Sequence, residues 1–185
     1  MKKNKKISLR LALDGYSASG KSLAAKLISK KYKLYLLNSG LLYRFAAFLI
    51  LKHKPKKEIF FLVKKFKKLN YKKVTRINLH TQEISKYSSI IAKQKKVRNL
   101  LKNYQKKIAK KFNKIAIEGR DISSKILNFN PRYDVSFFFK CNLNTAAHRR
   151  WKDLKASNKH IAFKEVKKSL KKRNELDTKR RFSPL

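Results

Sequence analysis

Gly15-Tyr16-Ser17-Ala18-Ser19-Gly20-Lys21-Ser22 satisfies the phosphate-loop pattern G-x-x-x-x-G-K-[ST] at every fixed position. Its surroundings are those in which the motif has a mechanism. Ile7–Leu13 alternates as a short strand before it. Leu23, Leu27 and Ile28, with Ala24 and Ala25, follow at helical spacing. A loop between a strand and a helix start aims successive backbone N–H groups at one point, where the helix dipole adds positive potential. Lys21 is placed to reach the β- and γ-phosphates and Ser22 to hold Mg²⁺, so a nucleoside triphosphate is the expected ligand. A glycine-containing turn before an ordinary helix is the plainer reading.

Further strands are expected at Leu34–Leu37, Lys114–Ile117 and Tyr133–Lys140, and helices at Leu41–Leu51 and Ile59–Leu69. Val97, Leu101, Tyr104 and Ile108 recur at helical spacing with lysines between them. Alternating strands and helices imply a three-layer α/β domain around a parallel sheet, which gathers ligand groups at the carboxyl ends of its strands. Asp14-Gly15 ends the first strand, Asn38-Ser39-Gly40 the second and Glu118-Gly119-Arg120-Asp121 the third, with Tyr43-Arg44 shortly after the second. Polar and charged groups therefore converge on one sheet edge. Lys73–Ser89 is more polar and reads as a small excursion from the core.

The chain has 185 residues, 42% of them hydrophobic, enough for one domain with a real core. Its net charge of +41 comes from 51 Lys and Arg against 10 Asp and Glu. Lysines dominate and are dispersed through Lys52–Lys73, Lys93–Lys114 and Lys152–Lys172. That pattern resembles a compositional bias of solvated faces more than a nucleic-acid reader built on arginine, although nonspecific nucleic-acid adhesion follows from the charge. One cysteine, Cys141, excludes a disulfide framework. His53, His80, His148 and His160 lack ligand spacing. No apolar run approaches the length of about 18 residues that marks a membrane span, and the N-terminus makes a poor signal peptide. A cytoplasmic protein is expected.

Five stretches carry a more specific resemblance: Leu13 through Ser22; Asn38-Ser39-Gly40-Leu41-Leu42-Tyr43-Arg44; Gln82-Glu83 through Ser89 to Val97-Arg98; Ile117-Glu118-Gly119-Arg120-Asp121; and Arg173 through Asp177 and Arg180 to Pro184-Leu185. From about Leu11 to its end the chain resembles the bacterial cytidylate (CMP/dCMP) kinases, nucleoside monophosphate kinases with a phosphate loop. The resemblance implies a P-loop kinase fold over residues 1–185. Its core would span about 6–64 and 90–185, its short acceptor-binding excursion 65–89 and its arginine-containing lid 149–172. It implies that Arg44, Arg120 and Arg180 hold the CMP phosphate. Ser89, Arg98 and Asp121 would read cytosine, and Ser39, Arg173 and Asp177 would contact the sugar.

Lys21, with Arg149 and Arg150 from the lid, would serve transfer of the γ-phosphoryl group of ATP. Mg²⁺ would sit on Ser22, with Asp14 and Glu118 reached through water. ATP, CMP and dCMP are the implied partners, and a monomer the implied state. Another P-loop small-molecule kinase, acting on UMP, AMP or shikimate, shares the loop but not the cytosine-reading group. A truncated or inactive P-loop protein that binds RNA through its basic surface is the reading from a different class.

The chain also departs from the family pattern. Ser123 stands where glycine is usual, Leu176 where arginine is common and His80 where arginine is frequent. The family continues beyond its Pro-Leu into a loop, a fifth strand and a terminal helix. Those elements are expected to be absent here, leaving one edge of the Tyr133–Lys140 strand uncovered.

Overall fold

The computed structural model describes residues 8–156 and 161–185. Ile7, the start of the expected first strand, and part of the expected lid lie outside the described residues. The elements are β1 (Leu9–Gly15), α1 (Lys21–Lys31), β2 (Tyr35–Asn38), α2 (Ser39–His53), α3 (Glu58–Lys67), α4 (Tyr71–Val74), α5 (Gln82–Ile91) and α6 (Lys95–Lys111). They continue with β3 (Lys114–Glu118), a π-helical turn (Ile122–Ile126), β4 (Val135–Phe139), α7 (Leu143–Ala156) and α8 (Phe163–Lys179).

The sheet is wholly parallel in the order β2-β3-β1-β4. Its strands are short and apolar, as burial on both faces requires. Ala12, Leu37, Ile115 and Ile117 point into the larger core, formed with α2, α3, α5 and α6. Leu11, Leu13 and Ala116 point the other way, onto Ala25 of α1 and Leu34. The expected three layers are present. α7 and α8 pack on each other through Ala146, Ala147, Val166 and Leu170, with Trp151 and Phe163 alongside. Among the described residues no helix is long and apolar enough to cross a membrane.

Two local features are decided by packing. In α1, Leu23 and Leu27 are 64% and 59% exposed, while Lys21, Ala25 and Ser29 form the buried face. The phosphate loop fixes the phase of this helix: Lys21 must turn inward, so the residues four and eight positions later inherit its face. The polar excursion of Lys73–Ser89 contains most of α5. Thr81 caps that helix by accepting from the Ile84 N–H at 3.3 Å. Ile84 and Ile91 then join the same core cluster as Leu42 and Ile50.

β4 is the edge strand beside β1, and Val135, Phe137 and Phe138 on it are exposed. Its backbone closes on the start of the phosphate loop, because Tyr16 N–H donates to the Phe139 carbonyl at 3.2 Å. Gly15 sits there with φ +148°, and a Cβ at this position would fall 2.8 Å from the nitrogen and Cβ of Phe139. Gly15→Ala is therefore expected to destabilise the fold by about 2 kcal/mol or more. Urea unfolding of the variant checks this, and an unchanged midpoint would contradict the packing described.

Candidate active site

The site lies where β1, β2 and β3 end. Their register places Asn38 opposite Glu118, and Glu118 opposite Leu13. Glu118 is buried, and its carboxylate organises the donor side of the cleft. It accepts from the Ser22 hydroxyl at 2.7 Å and from the Asn38 side-chain amide at 2.5 Å. Lys21 Nζ stands 3.7 Å away. Asn38 also accepts from the Leu41 N–H at 3.0 Å, so one side chain caps α2 and steers Glu118. Its own backbone N–H donates to the Tyr71 hydroxyl at 2.8 Å. Desolvation drives the Tyr71 phenol well above its ordinary range, which keeps it neutral.

Ser22 and Glu118 are hard oxygen donors within reach of one another, a set that fits Mg²⁺ held largely by phosphates and water. Among the described residues, groups of three or more His, Cys, Asp or Glu able to hold a metal are absent. The structure does not bring Asp14 into this pair. One Asp14 oxygen accepts from Ile122 N–H at 2.7 Å. The other accepts from the N–H and the hydroxyl of Ser123 at 2.8 and 2.7 Å. Asp14 thus fixes the turn that carries Arg120 and Asp121. Ser123, standing where the family has glycine, adds the third hydrogen bond.

Arg120 is the hub of the cleft. It donates to the Gly15 carbonyl at 2.7 Å, to the Ser17 hydroxyl at 2.9 Å and to Asp177 at 2.8 Å. Arg180 donates to the other oxygen of Asp177 at 3.0 Å and also to the Ser183 carbonyl. Asp177, assigned by resemblance to the sugar, here bridges two of the three arginines assigned to the acceptor phosphate. The third, Arg44, donates to the Leu79 carbonyl at 3.3 Å and lies 2.9 Å from His80 Nδ1.

Deeper in, Arg98 and Asp121 form a buried ion pair, with Arg98 also donating to the Ala92 carbonyl at 3.2 Å. The Tyr43 ring lies 5.7 Å from the Arg98 guanidinium, and desolvation raises the Tyr43 phenol to about 12. Ser89 donates within α5 to the Ser85 carbonyl at 3.2 Å. Ser39 is buried at the start of α2, against Gly119.

The lid arginines divide between the two sides of the cleft. Arg149 Nη1 lies 3.7 Å from where a Cβ on Gly20 would stand, over the phosphate loop. Arg150 acts electrostatically on Arg44, His80 and Arg173. From α8, Asn174 accepts the Ser17 N–H at 3.0 Å, a contact that no sequence motif announced.

Positive charge is crowded here. Lys21, Arg44, Arg120, Arg150, Arg173 and Arg180 outnumber Asp14, Glu118 and Asp177, since Asp121 is matched by Arg98. Desolvation and then Arg120 hold Arg173 down to about 10. Desolvation also lowers Arg44 and Arg180, assisted by Arg150 and by Arg98 respectively. Ser19 Oγ, Arg98 Nε and Arg180 Nη2 are buried without a hydrogen-bond partner. Buried donors beside surplus cations suit a polyanionic ligand.

A parallel sheet between two helical layers, with a phosphate loop after β1 and an arginine-lined cleft beside it, defines a P-loop α/β architecture. Residues 11–185 match the family model described as Cytidylate kinase. The chain is 32% identical to the cytidylate kinase of Clostridioides difficile (strain 630), over 96% of this chain and 86% of that protein. It is 30% identical to the cytidylate kinase of Carboxydothermus hydrogenoformans, over 96% and 85% respectively. A crystal structure of an uncharacterized protein from Eubacterium ventriosum ATCC 27560 shares the fold. Its TM-score is 0.52 at 18% identity, over 95% of this chain and 79% of that one. The chain belongs to the cytidylate kinase family.

Lys21 is held against its own charge. Burial, followed by the charge of Arg120, lowers its ammonium from 10.5 to about 8, against the opposing pull of Glu118. Between those limits the unfolded chain binds more protons than the folded one, so this group adds stability as pH rises from about 8 to 10.5. Lys21→Met should stabilise the ligand-free protein by about 3 kcal/mol at pH 7, with the gain shrinking toward pH 10.5. Urea titrations at pH 7, 9 and 10.5 read this directly, and a pH-independent difference would contradict it.

Proposed function

We propose that this protein transfers the γ-phosphoryl group of ATP to CMP or dCMP, giving CDP or dCDP and ADP. The observation that carries this reading is the pairing of a phosphate loop with a second cationic centre, Arg44, Arg120 and Arg180, beside the buried Arg98–Asp121 pair. The loop amides of residues 15–22 and the Lys21 ammonium cradle the donor phosphates. The guanidinium forks suit the acceptor phosphate dianion, and Arg120, bonded to Ser17 Oγ, lies at the junction of the two sites. An acceptor phosphate oxygen attacks the γ-phosphorus in line, and the bond to the β-phosphate oxygen breaks as ADP leaves. No covalent enzyme intermediate is required. Catalysis is positioning and charge stabilisation.

Ser22, and Glu118 through water, would hold Mg²⁺, which would supply positive charge to the donor phosphates. Lys21, Arg149 and Arg150 act on the transferring group. Closing α7 and α8 over it excludes the water that would otherwise hydrolyse ATP. Ser39, Arg173 and Asp177 line the sugar side of the cleft. Its open form keeps Asp177 on Arg120 and Arg180 and Asn174 on Ser17, contacts that incoming phosphates replace.

Specificity follows from Asp121. Its carboxylate accepts a hydrogen bond from the exocyclic amine of cytosine, while Arg98 and Ser89 serve the ring acceptors. Uracil presents a carbonyl where cytosine has the amine and is repelled by the same carboxylate. That chemistry disfavours UMP; adenine shares the amine of cytosine but lacks its O2 acceptor, and shikimate has no base to read.

ADP formation from ATP and Mg²⁺, measured with CMP, dCMP, UMP and AMP in turn, tests the reading. Turnover should be selective for CMP and dCMP. Asp121→Asn should lower kcat/KM for CMP by about a hundredfold, and that for UMP far less. Equal turnover of all four acceptors, or an Asp121→Asn variant as selective as the parent, would overturn the assignment.

A further inference from the structure

His80 is exposed at the mouth of the cleft, one residue before the Thr81 cap of α5. Its Nδ1 lies 2.9 Å from Arg44 Nη1, which also donates to the Leu79 carbonyl. A guanidinium can only donate, so Nδ1 must offer a lone pair there and the ring is neutral while this contact stands. The surroundings agree. Partial desolvation lowers the imidazole from its ordinary value, and the charges that face it, Arg44 from α2 and Arg150 from α7, lower it further. The charges that shift it are both cationic. Carboxylates in the cleft are engaged elsewhere: Asp177 by Arg120 and Arg180, Asp121 by Arg98, and Glu118 by Ser22, Asn38 and Lys21.

We propose that His80 is a further ligand of the acceptor phosphate, neutral in the empty cleft and protonated when the phosphomonoester dianion binds. The inference rests on the acceptor-site reading of Arg44 given above. A phosphate oxygen arriving beside Arg44 replaces Nδ1 as the acceptor of the guanidinium N–H. The freed Nδ1 takes one proton from solvent and donates it to the phosphate in a charge-assisted hydrogen bond. No bond to phosphorus changes, and the proton returns to solvent when the ligand leaves. The dianion also reverses the field on the ring, since two negative charges now stand among Arg44, Arg150 and the imidazole. The phosphate centre thereby gains a cation only when there is an anion to neutralise. A fixed positive charge at position 80 would instead repel Arg44 and Arg150 in the empty protein.

Calorimetric titration of the full chain with CMP at pH 7, in two phosphate-free buffers of different ionisation enthalpy, counts the protons taken up. The parent should take up roughly half to one proton per CMP more than His80→Gln, the remaining linkage of the phosphate group being common to both. His80→Gln should bind CMP about tenfold more weakly at pH 7. His80→Arg should recover most of the affinity with no extra uptake. Cytidine, which lacks the phosphate, should show no difference in proton uptake between parent and variant. An unchanged affinity for ATP shows that each variant is folded. Equal proton uptake by the parent and His80→Gln would overturn the role of His80 while leaving the acceptor reading intact. A parent that does not bind CMP at all would overturn both.

Discussion

The Arg120 guanidinium holds the cleft together. It joins the carbonyl of Gly15 and the hydroxyl of Ser17, at the start of the phosphate loop, to Asp177 on α8. Arg120 itself is aimed by the turn after β3, which Asp14 fixes from the end of β1 with three hydrogen bonds. Two adjacent parallel strands therefore set the guanidinium, and the guanidinium ties the phosphate loop to α8. A charged fork with fixed geometry suits this task better than lysine would, because its donors can serve several acceptors at once.

Around this hub the protein accepts an unfavourable charge arrangement. Lys21, Arg173, Arg44 and Arg180 all lose basicity, first to desolvation and then to neighbouring arginines. Such crowding weakens the ligand-free fold and readies the cleft for polyanions, so the binding free energy of phosphate includes the relief of that repulsion. The chain-wide excess of lysine is separate from this. α6 shows the pattern: Val97, Leu101 and Tyr104 face the core while its lysines occupy the other faces. The cleft is instead lined mainly by arginine.

Local chemistry made much of this legible. The phosphate loop, the strand-helix alternation and the convergence of Asp14, Asn38 and Glu118 on one sheet edge depend on short-range patterns, and they appear in the fold as expected. Apolar spacing announces the α1 helix but not its buried face, because the loop rather than hydrophobicity sets that helix's phase. Asn174 and Tyr71 went unnoticed as site residues, Asn38 was noticed only as a strand end, and Ser123 only as a departure from the family pattern. Each acts through a single hydrogen bond or a small set of them, to a residue far away in sequence, and such bonds leave no periodic trace.

The sequence by itself determined that a triphosphate-binding loop sits in a parallel α/β sheet, since eight consecutive residues and their flanking strand and helix are enough to build it. It also named the arginines and aspartates that resemble an acceptor site. Only the tertiary structure decided how they divide the work. It paired Arg98 with Asp121, committed Asp14 to the turn rather than to the Ser22–Glu118 pair, separated Arg149 from Arg150 and placed His80 on Arg44. The physical reason is range. Propensity and motif act over a few residues, whereas these contacts are fixed by strand register and helix packing between segments that the chain order keeps apart.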